Sequence, residues 1–359
     1  MRTKSTTLLR TGCLVLFLFV SSFQGVAATA RDRFPLNAGQ PARGIGPGDI
    51  AVIVNDSDPL SRRIGEYYKV RRNIPPANII HVRFRPGAPV MSRTEFQRIK
   101  AVVDLQTPPS VQAYALTWAA PYRVACMSIT TAFAAGFDSA FCASGCRPTK
   151  YDSYFDSSSR KPYMDFRIRP TMALAGLDFA EVKALIDRGV AADGTFPRGT
   201  GYLVSTSDKN RNARADLFPM LVGQFGKKIR LRIVKADYIQ NRKDVLFYFT
   251  GVPNVEALQT DRFLPGAIAD HLTSAGGRLI DSPQMSSLAW LRAGATASYG
   301  AVTESCNIAD KFPSPGIVIR KYLEGETLIE AYWKSVAMPG QGIFIGEPLA
   351  SPFALRTTN

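Results

Sequence analysis

The segment Asp49–Asn55, DIAVIVN, decides the fold of this chain of 359 residues. Its five central residues are all apolar, and four of them are β-branched. A continuous apolar run of this length indicates a strand that is buried on both faces, as in a parallel sheet. The sequence around it should therefore supply helices that cover those two faces.

The next residues provide the first of these helices. Leu60–Asn73 carries Ile64 and Tyr68 on one side and arginines on the other, the pattern of an amphipathic helix. Ser57 or Asp58 is placed to cap its start. A second strand, Asn78–Phe84, follows two prolines. A strand, helix and strand joined by short links predict two parallel neighbouring strands.

The same alternation continues to the end of the chain. It predicts an α/β fold, doubly wound, with a mainly parallel sheet flanked by helices. We expect a single domain over 49–359, with an extended lead-in at 31–48. The alternation of strands and helices is interrupted at about 123–170, which we interpret as an irregular insertion that carries cysteines.

Residues 1–30 are typical of a secretory signal peptide. Arg2, Lys4 and Arg10 precede a short apolar run, and small residues follow it up to Ala30. We expect a protein that is exported and periplasmic or extracellular after cleavage. No later segment is long and apolar enough for a bilayer, so we predict no transmembrane segment in the mature chain.

The formal net charge is +15, and it stays strongly positive without the signal peptide. A basic exported protein can meet anionic polymers of the cell envelope or another exported protein. The positive residues, among them Lys227, Lys228, Arg230 and Arg232, are not interleaved with aromatic residues on one element. We therefore expect no nucleic-acid partner.

Four cysteines remain after the predicted cleavage: Cys126, Cys142, Cys146 and Cys306. An even number in an exported chain indicates disulfides. Cys142 and Cys146 are close enough in sequence for a local bridge, which would pair Cys126 with Cys306. For Cys306, a free buried thiol and a nucleophile are the alternatives.

A binding rim is expected where parallel strands end, because ligands of such sheets bind at their carboxyl edge. Several polar or small residues follow predicted strands. The rim that we predict consists of Gly251, Val252, Asp270, His271, Glu304 and Glu347. A Cys306–His271 dyad, which a cysteine-dependent hydrolase would need, is the alternative at the same place. For His271 we favour a structural role, and we place His81 as a core or edge histidine of its strand.

Other catalytic templates do not occur in the sequence. The chain has no G-x-S-x-G elbow, no Walker loop and no H-E-x-x-H. The C-x3-C spacing of Cys142 and Cys146 is a weak metal signal in an oxidising compartment. We therefore predict neither a metal nor a cofactor.

Six stretches, among them TWAAPYRV, FLPGAIADHLTSAGG, GATASYGAVTES and GQGIFIGEPLASPF, together resemble an uncharacterised family of exported bacterial proteins. The layout is also distantly similar to gingipain-type cysteine peptidases. That resemblance implies a caspase-like fold with a histidine after one strand and a cysteine after the next.

Both catalytic positions differ in this sequence. In FYFTGVPN, Val252 stands in the place of the histidine, and the next strand end, ADHLTS, has no cysteine. Cys306 falls one strand later. The resemblance therefore implies a pseudoenzyme: a non-peptidase binding or accessory protein of the cell envelope.

Overall fold

The computed structural model describes residues 44–143 and 145–355. The predicted signal peptide, and the lead-in up to residue 43, lie outside this part. All of the described residues belong to one compact unit.

The strands are β1 (Ile50–Asn55), β2 (Ile79–Val82), β3 (Val90–Met91), β4 (Ala113–Leu116), β5 (Arg123–Val124), β6 (Met127–Ser128), β7 (Thr171–Ala173), β8 (Thr200–Ser205), β9 (Arg230–Lys235), β10 (Val245–Thr250), β11 (Phe263–His271), β12 (Ala297–Ala301) and β13 (Gly342–Gly346). The helices are α1 (Pro59–Arg72), α2 (Arg93–Gln106), α3 (Ile129–Ala135), α4 (Pro162–Phe166), α5 (Phe179–Ala192), α6 (Phe218–Phe225), α7 (Leu288–Ala293), α8 (Pro315–Leu323) and α9 (Leu328–Trp333).

Ten strands form one large sheet in the order β2-β1-β4-β7-β13-β12-β11-β10-β8-β9. Most neighbouring strands run parallel, whereas β13 runs antiparallel to β12. A small sheet, β3-β5-β6, lies apart from it. The α/β class with a mainly parallel sheet flanked by helices, as predicted from the sequence, is therefore confirmed.

Helices cover both faces of the sheet because β1 is apolar on both sides. Ile50, Val52 and Val54 belong to the hydrophobic core that also holds residues of α1, α5, α8 and α9. Ala51 and Ile53 belong to a second core shared with α2, α3 and α7. This is the physical basis of the doubly wound arrangement.

The helix starts follow the capping signals in the sequence. The Asp58 carboxylate accepts the Leu60 amide at 2.9 Å, and the Ser92 hydroxyl accepts the Glu95 amide at 3.2 Å. Asp178 does the same for Glu181 at the start of α5. These caps pair amide groups that a helix start leaves without partners.

Two parts of the fold differ from the sequence prediction. The three-residue strand β7 was not predicted, and it pairs with β4. The segment 123–170, predicted to be irregular, contains β5, β6, α3 and α4. Elements of two to seven residues are too short to show a periodicity, which explains both differences.

A buried group of charged side chains lies beside α9. Lys334 contacts Glu326 at 2.9 Å, and Arg160 lies 3.7 Å from both Glu326 and Glu330. Glu330 also accepts the Thr327 amide at 3.1 Å, which closes a capping box at the start of α9. Lys334 and Glu330 are fully buried. The four charges are therefore stabilised mainly by one another rather than by water.

Over 44–143 and 145–355, none of the helices combines the length and the apolar character that crossing a membrane requires.

Candidate functional site

All four cysteines of the described chain are in disulfides, as predicted, but the predicted pairing is wrong. Cys126 is bonded to Cys142, and Cys146 is bonded to Cys306. Cys126 lies in the tight turn between β5 and β6, and Cys142 ends a short 3-10 helix that packs its Phe141 into the core. Tertiary packing of Phe141, rather than closeness in sequence, thus decides the partner of Cys142.

The Cys146–Cys306 bridge attaches the segment 123–170 to the loop after β12, and the Cys126–Cys142 bridge closes a loop within that segment. Thr303 donates its hydroxyl to the carbonyl of Cys126 at 3.1 Å. Glu304 accepts the amide of Cys306 at 2.6 Å, so its carboxylate holds its own loop. With its sulfur bonded to Cys146, Cys306 has no thiolate to serve as a nucleophile.

His271 lies at the carboxyl end of β11 and is fully buried. The Trp290 indole donates to its Nδ1 at 2.9 Å, and its Nε2 lies 3.1 Å from the Met285 carbonyl. Because an indole can only donate, Nδ1 is the acceptor and Nε2 carries the proton. Both nitrogens of the neutral ring are therefore occupied by the protein itself.

The surroundings also keep this ring uncharged. Burial lowers the pKa of His271 to about 4, the Met285 carbonyl opposes this shift, and the charges of Arg214 and Arg211 add to it. In this structure both ring nitrogens of His271 are hydrogen-bonded within the fold, and the sulfur of Cys306 is bonded to Cys146.

We predict that His271→Gln changes the pH dependence of stability. The pKa of His271 in the folded chain lies below the ordinary 6.5, so the unfolded chain gains a proton that the folded one does not. Stability from this site is complete above pH 6.5 and is lost as the pH falls towards 4. The loss should reach about 3 kcal/mol near pH 4, at about 1.4 kcal/mol per pKa unit.

Glutamine can accept from Trp290 and donate to Met285 without titrating, so the variant should lack this loss. Chemical denaturation of both proteins between pH 4 and 8 measures the difference. Burial raises the pKa of Asp152 to about 7, which acts in the opposite direction, but this carboxyl is present in both proteins. Parallel stability profiles of the two proteins would show that His271 does not titrate as described.

Asp270 precedes His271 and points to the other face of the sheet, as successive strand residues do. Arg214 Nη1 lies 2.7 Å from its Oδ1, and Tyr332 donates to its Oδ2 at 3.1 Å. Burial raises the pKa of Asp270, while Arg214 and Tyr332 oppose that shift. Arg214 also donates to the Thr250 carbonyl at 2.7 Å. This pair fixes the ends of β10 and β11.

Gly251 and Val252 are covered by protein as well. A Cβ added to Gly251 would lie 1.9 Å from the backbone oxygen of Arg211, so only glycine allows this close approach. Val252 packs into a third hydrophobic core with Tyr248 and Trp290. The structure therefore places Gly251, Val252 and His271 together, but beneath the loop that contains Arg211.

Glu347 does not belong to this rim, which corrects the prediction. Because β13 is antiparallel to β12, Gly346 pairs with Ala297 at the amino end of β12. There the buried Glu347 accepts from Tyr68 at 2.7 Å and forms an ion pair with Arg72. Its carboxylate joins the end of α1 to the C-terminal part of the chain, at the edge opposite to His271.

The accessible charge of this half of the sheet lies instead along its outer strand. We define the β9 basic edge as the exposed cations on β9 and in the segments that flank it. These are Lys227, Lys228, Arg230, Arg232, Lys235, Arg242 and Lys243.

Within 227–243 the only acidic residue is Asp237, which is bonded to Ser207. The adjacent Asp244 accepts from Thr200 at 2.6 Å and Tyr202 at 2.9 Å, with Arg230 at 3.6 Å. Burial raises its pKa, but these hydrogen bonds and the charge of Arg230 outweigh that effect, so the pKa is lowered. The acidic side chains nearby are thus already engaged, and the edge is positive.

A partial signal for this surface is present in the sequence. Arg230 and Arg232 alternate with Leu231, which is buried, as expected of a strand with one polar face. The position of β9 as the outermost strand could not be predicted from the sequence. The cations therefore looked scattered along the chain, although they are clustered on one edge.

The described residues contain no group of three or more His, Cys, Asp or Glu side chains that could hold a metal ion. No protein-family model matches this chain, and no curated protein does. Among solved structures, the complex of the pro- and mature domains of RgpB from Porphyromonas gingivalis is similar to it. That likeness covers 86% of this chain and 81% of the other, at 11% identity and a TM-score of 0.49. A likeness at this level carries no information on activity.

Proposed function

We propose that this protein is an exported, non-peptidase binding protein of the cell envelope, and that the β9 basic edge contacts a linear anionic polymer. The observation that carries the proposal is the concentration of cations on one outer strand, with the neighbouring carboxylates already bonded. Such a patch attracts polyanions and binds them in a salt-dependent way.

The spacing of the cations supports a linear ligand. Residues two apart on a strand lie on the same side, about 6–7 Å from each other. Arg230 and Arg232 are such a pair, and both point to the face of their partners Thr200 and Tyr202 on β8. Arg242 lies over the Tyr202 ring at 5.7 Å. Arg230, Arg232 and Arg242 therefore lie on the same part of the edge, beside Thr200 and Tyr202 of β8.

The alternative, a cysteine-dependent hydrolase that uses Cys306 and His271, has less support. It needs a free thiolate beside an imidazole that exchanges protons with a substrate. Cys306 is bonded to Cys146, and both ring nitrogens of the buried His271 are bonded to Trp290 and Met285. The binding function needs neither group.

The test is the triple variant Arg230→Glu, Arg232→Glu and Arg242→Glu. We expect its affinity for heparin, used here as a polyanion probe, to fall by at least about tenfold at low salt. The wild-type protein should bind progressively more weakly as NaCl is raised. Isothermal titration calorimetry measures both the affinity of the triple variant for heparin and the salt dependence of wild-type binding.

A matched control changes the same net charge elsewhere. Arg147, Lys161 and Lys209 are exposed, and none has an ion pair in the described structure. Their triple change to glutamate should leave the affinity within about twofold. Equal losses in the two triple variants would mean that only net charge matters, and salt-independent binding would contradict the proposal.

A further inference from the structure

At the opposite end of the large sheet, a cavity of about 240 Å³ opens between β2 and α2. We define the β2 pocket by its lining residues, which are Asp56, His81, Val82, Arg83, Arg98, Ile99 and Val102. It lies where β1 and β2 end, and the carboxyl edge of a parallel sheet is the usual place for a ligand. None of these residues belongs to the predicted rim or to the β9 basic edge.

The polar wall of the β2 pocket is held in place by a buried side chain. Asn55, which is fully buried, donates to the Phe84 carbonyl at 3.0 Å and accepts the amides of Ser57 at 3.1 Å and Phe84 at 3.2 Å. The Asp56 amide donates to the Val82 carbonyl at 2.8 Å. The loop that carries Asp56 and the segment that carries Arg83 are therefore fixed to each other, as a preorganised site requires.

An imidazole in the β2 pocket is oriented by a carboxylate. His81 Nδ1 lies 2.7 Å from Asp56 Oδ1, and the side chain of His81 is 51% exposed. A carboxylate accepts the Nδ1 proton, which leaves Nε2 to accept from a hydroxyl group or, in the charged ring, to donate to an anion. His81 differs in this respect from His271, whose two ring nitrogens are both hydrogen-bonded by other residues of the protein.

The charge of the β2 pocket is positive. Arg98 donates to the Arg83 carbonyl at 2.9 Å, and Arg83 Nε lies 3.7 Å from Asp56 Oδ2. Arg62 donates to the Asp56 carbonyl at 2.6 Å. The lining therefore has two guanidinium groups, of Arg83 and Arg98, and one carboxylate, which is already bonded to His81. Planar guanidinium groups bind carboxylates and phosphates with paired hydrogen bonds.

The floor of the β2 pocket is apolar. Val82 and Ile99 are buried, and Val102 is half-buried on the next turn of α2. A cavity of this volume holds about eight water molecules at about 30 Å³ each, so a ligand of roughly eight to eleven non-hydrogen atoms fits it. Pockets of this kind, with an apolar base and few polar groups, select small organic ligands.

We infer that the β2 pocket binds a small organic anion, with its carboxylate or phosphate group at Arg83 and Arg98 and its apolar body on Ile99 and Val102. Asp56 and His81 supply a hydrogen bond to a further polar group of the ligand. This site is independent of polymer binding at the β9 basic edge.

The probes are benzoate and phenyl phosphate, compared with acetate and inorganic phosphate in calorimetric titrations of the mature protein. We expect at least one aromatic anion to bind about tenfold more tightly than its small counterpart, because its ring covers the apolar floor. The better of the two aromatic anions shows whether the pocket prefers a carboxylate or a phosphate.

The variant that tests the site is Arg98→Ala, and its matched control is Arg93→Ala on the same helix. We expect the first to weaken binding of the better probe by about tenfold and the second by less than about twofold. Circular dichroism confirms that each variant is folded, and Arg83→Ala provides a second test. Equal affinity for aromatic and small anions, or equal effects of Arg98→Ala and Arg93→Ala, would overturn the inference.

The triple variant of the β9 basic edge separates the two sites. It should lose heparin affinity and still bind the aromatic anion with unchanged affinity, since the two sites lie at opposite ends of the sheet order. Loss of aromatic-anion binding in that variant would contradict an independent site at β2.

Discussion

Replacing Cys146 and Cys306 by serine is expected to lower the free energy of unfolding by about 5 kcal/mol. The bridge closes a loop of 160 residues, so its removal gives the unfolded chain a large gain in conformational freedom. The same change releases the segment 123–170 from the end of β12. Chemical denaturation of the variant and the wild type, both without reductant, measures the loss.

The second bridge provides the control. Cys126 and Cys142 are only 16 residues apart, so their replacement by serine should cost about 3 kcal/mol. The chain-entropy argument therefore predicts both the size of each stability loss and which of the two disulfides contributes more. A larger loss from Cys126 and Cys142 than from Cys146 and Cys306 would show that local contacts, and not loop length, set the contribution of each bridge.

The variant Lys334→Met is expected to destabilise the protein by about 3–5 kcal/mol. Methionine has a similar shape, but it leaves the buried carboxylates of Glu326 and Glu330 without their closest cation. The remaining cations are Arg160, at 3.7 Å from each carboxylate, and Lys321, at 4.0 Å from Glu326. Burial already lowers the pKa of Lys334, which the charge of Glu326 opposes. The methionine variant removes that cation altogether. Thermal and urea unfolding at neutral pH measure the effect.

Two further variants test this explanation. Lys183 forms an exposed pair with Asp187 at 2.6 Å, and Lys183→Met should have little effect because water solvates the remaining carboxylate. Adding Glu326→Gln to Lys334→Met should restore part of the lost stability, since it removes the buried carboxylate that Lys334 contacts at 2.9 Å. A loss at Lys334 no greater than that at Lys183 would contradict the role given to the buried group.

The fold could be predicted from the sequence where the signals are local. The apolar run of β1, the amphipathic α1 and the cap at Asp58 depend on neighbouring residues, and all three are present in the structure. β7 has three residues and no periodicity to detect. β13 could be predicted as a strand, but its direction depends on β12, which lies about forty residues earlier in the chain and is not a local signal.

The candidate sites were harder to predict for the same reason. Gly251 and His271 were placed at the correct edge, because parallel strands bring their carboxyl ends together. Whether such residues are open or covered depends on Trp290 and on the loop of Arg211, which are distant in sequence. Glu347 was assigned to the wrong edge because of the reversed strand. His81 occurs in the exposed edge strand β2, one of the two places considered for it, but its contact with Asp56 requires the structure.

The position of β13 bears on when the protein can fold. This strand lies between β7 and β12, where the two sides of the large sheet meet, although it is formed by residues 342–346. Strand pairing across the middle of the sheet must therefore wait until the ribosome has added nearly the whole described chain. A polypeptide that is translocated through a narrow pore has to remain unfolded until it emerges. Late completion of the sheet centre suits the proposed export, in which folding follows translocation into a compartment where cysteines are oxidised.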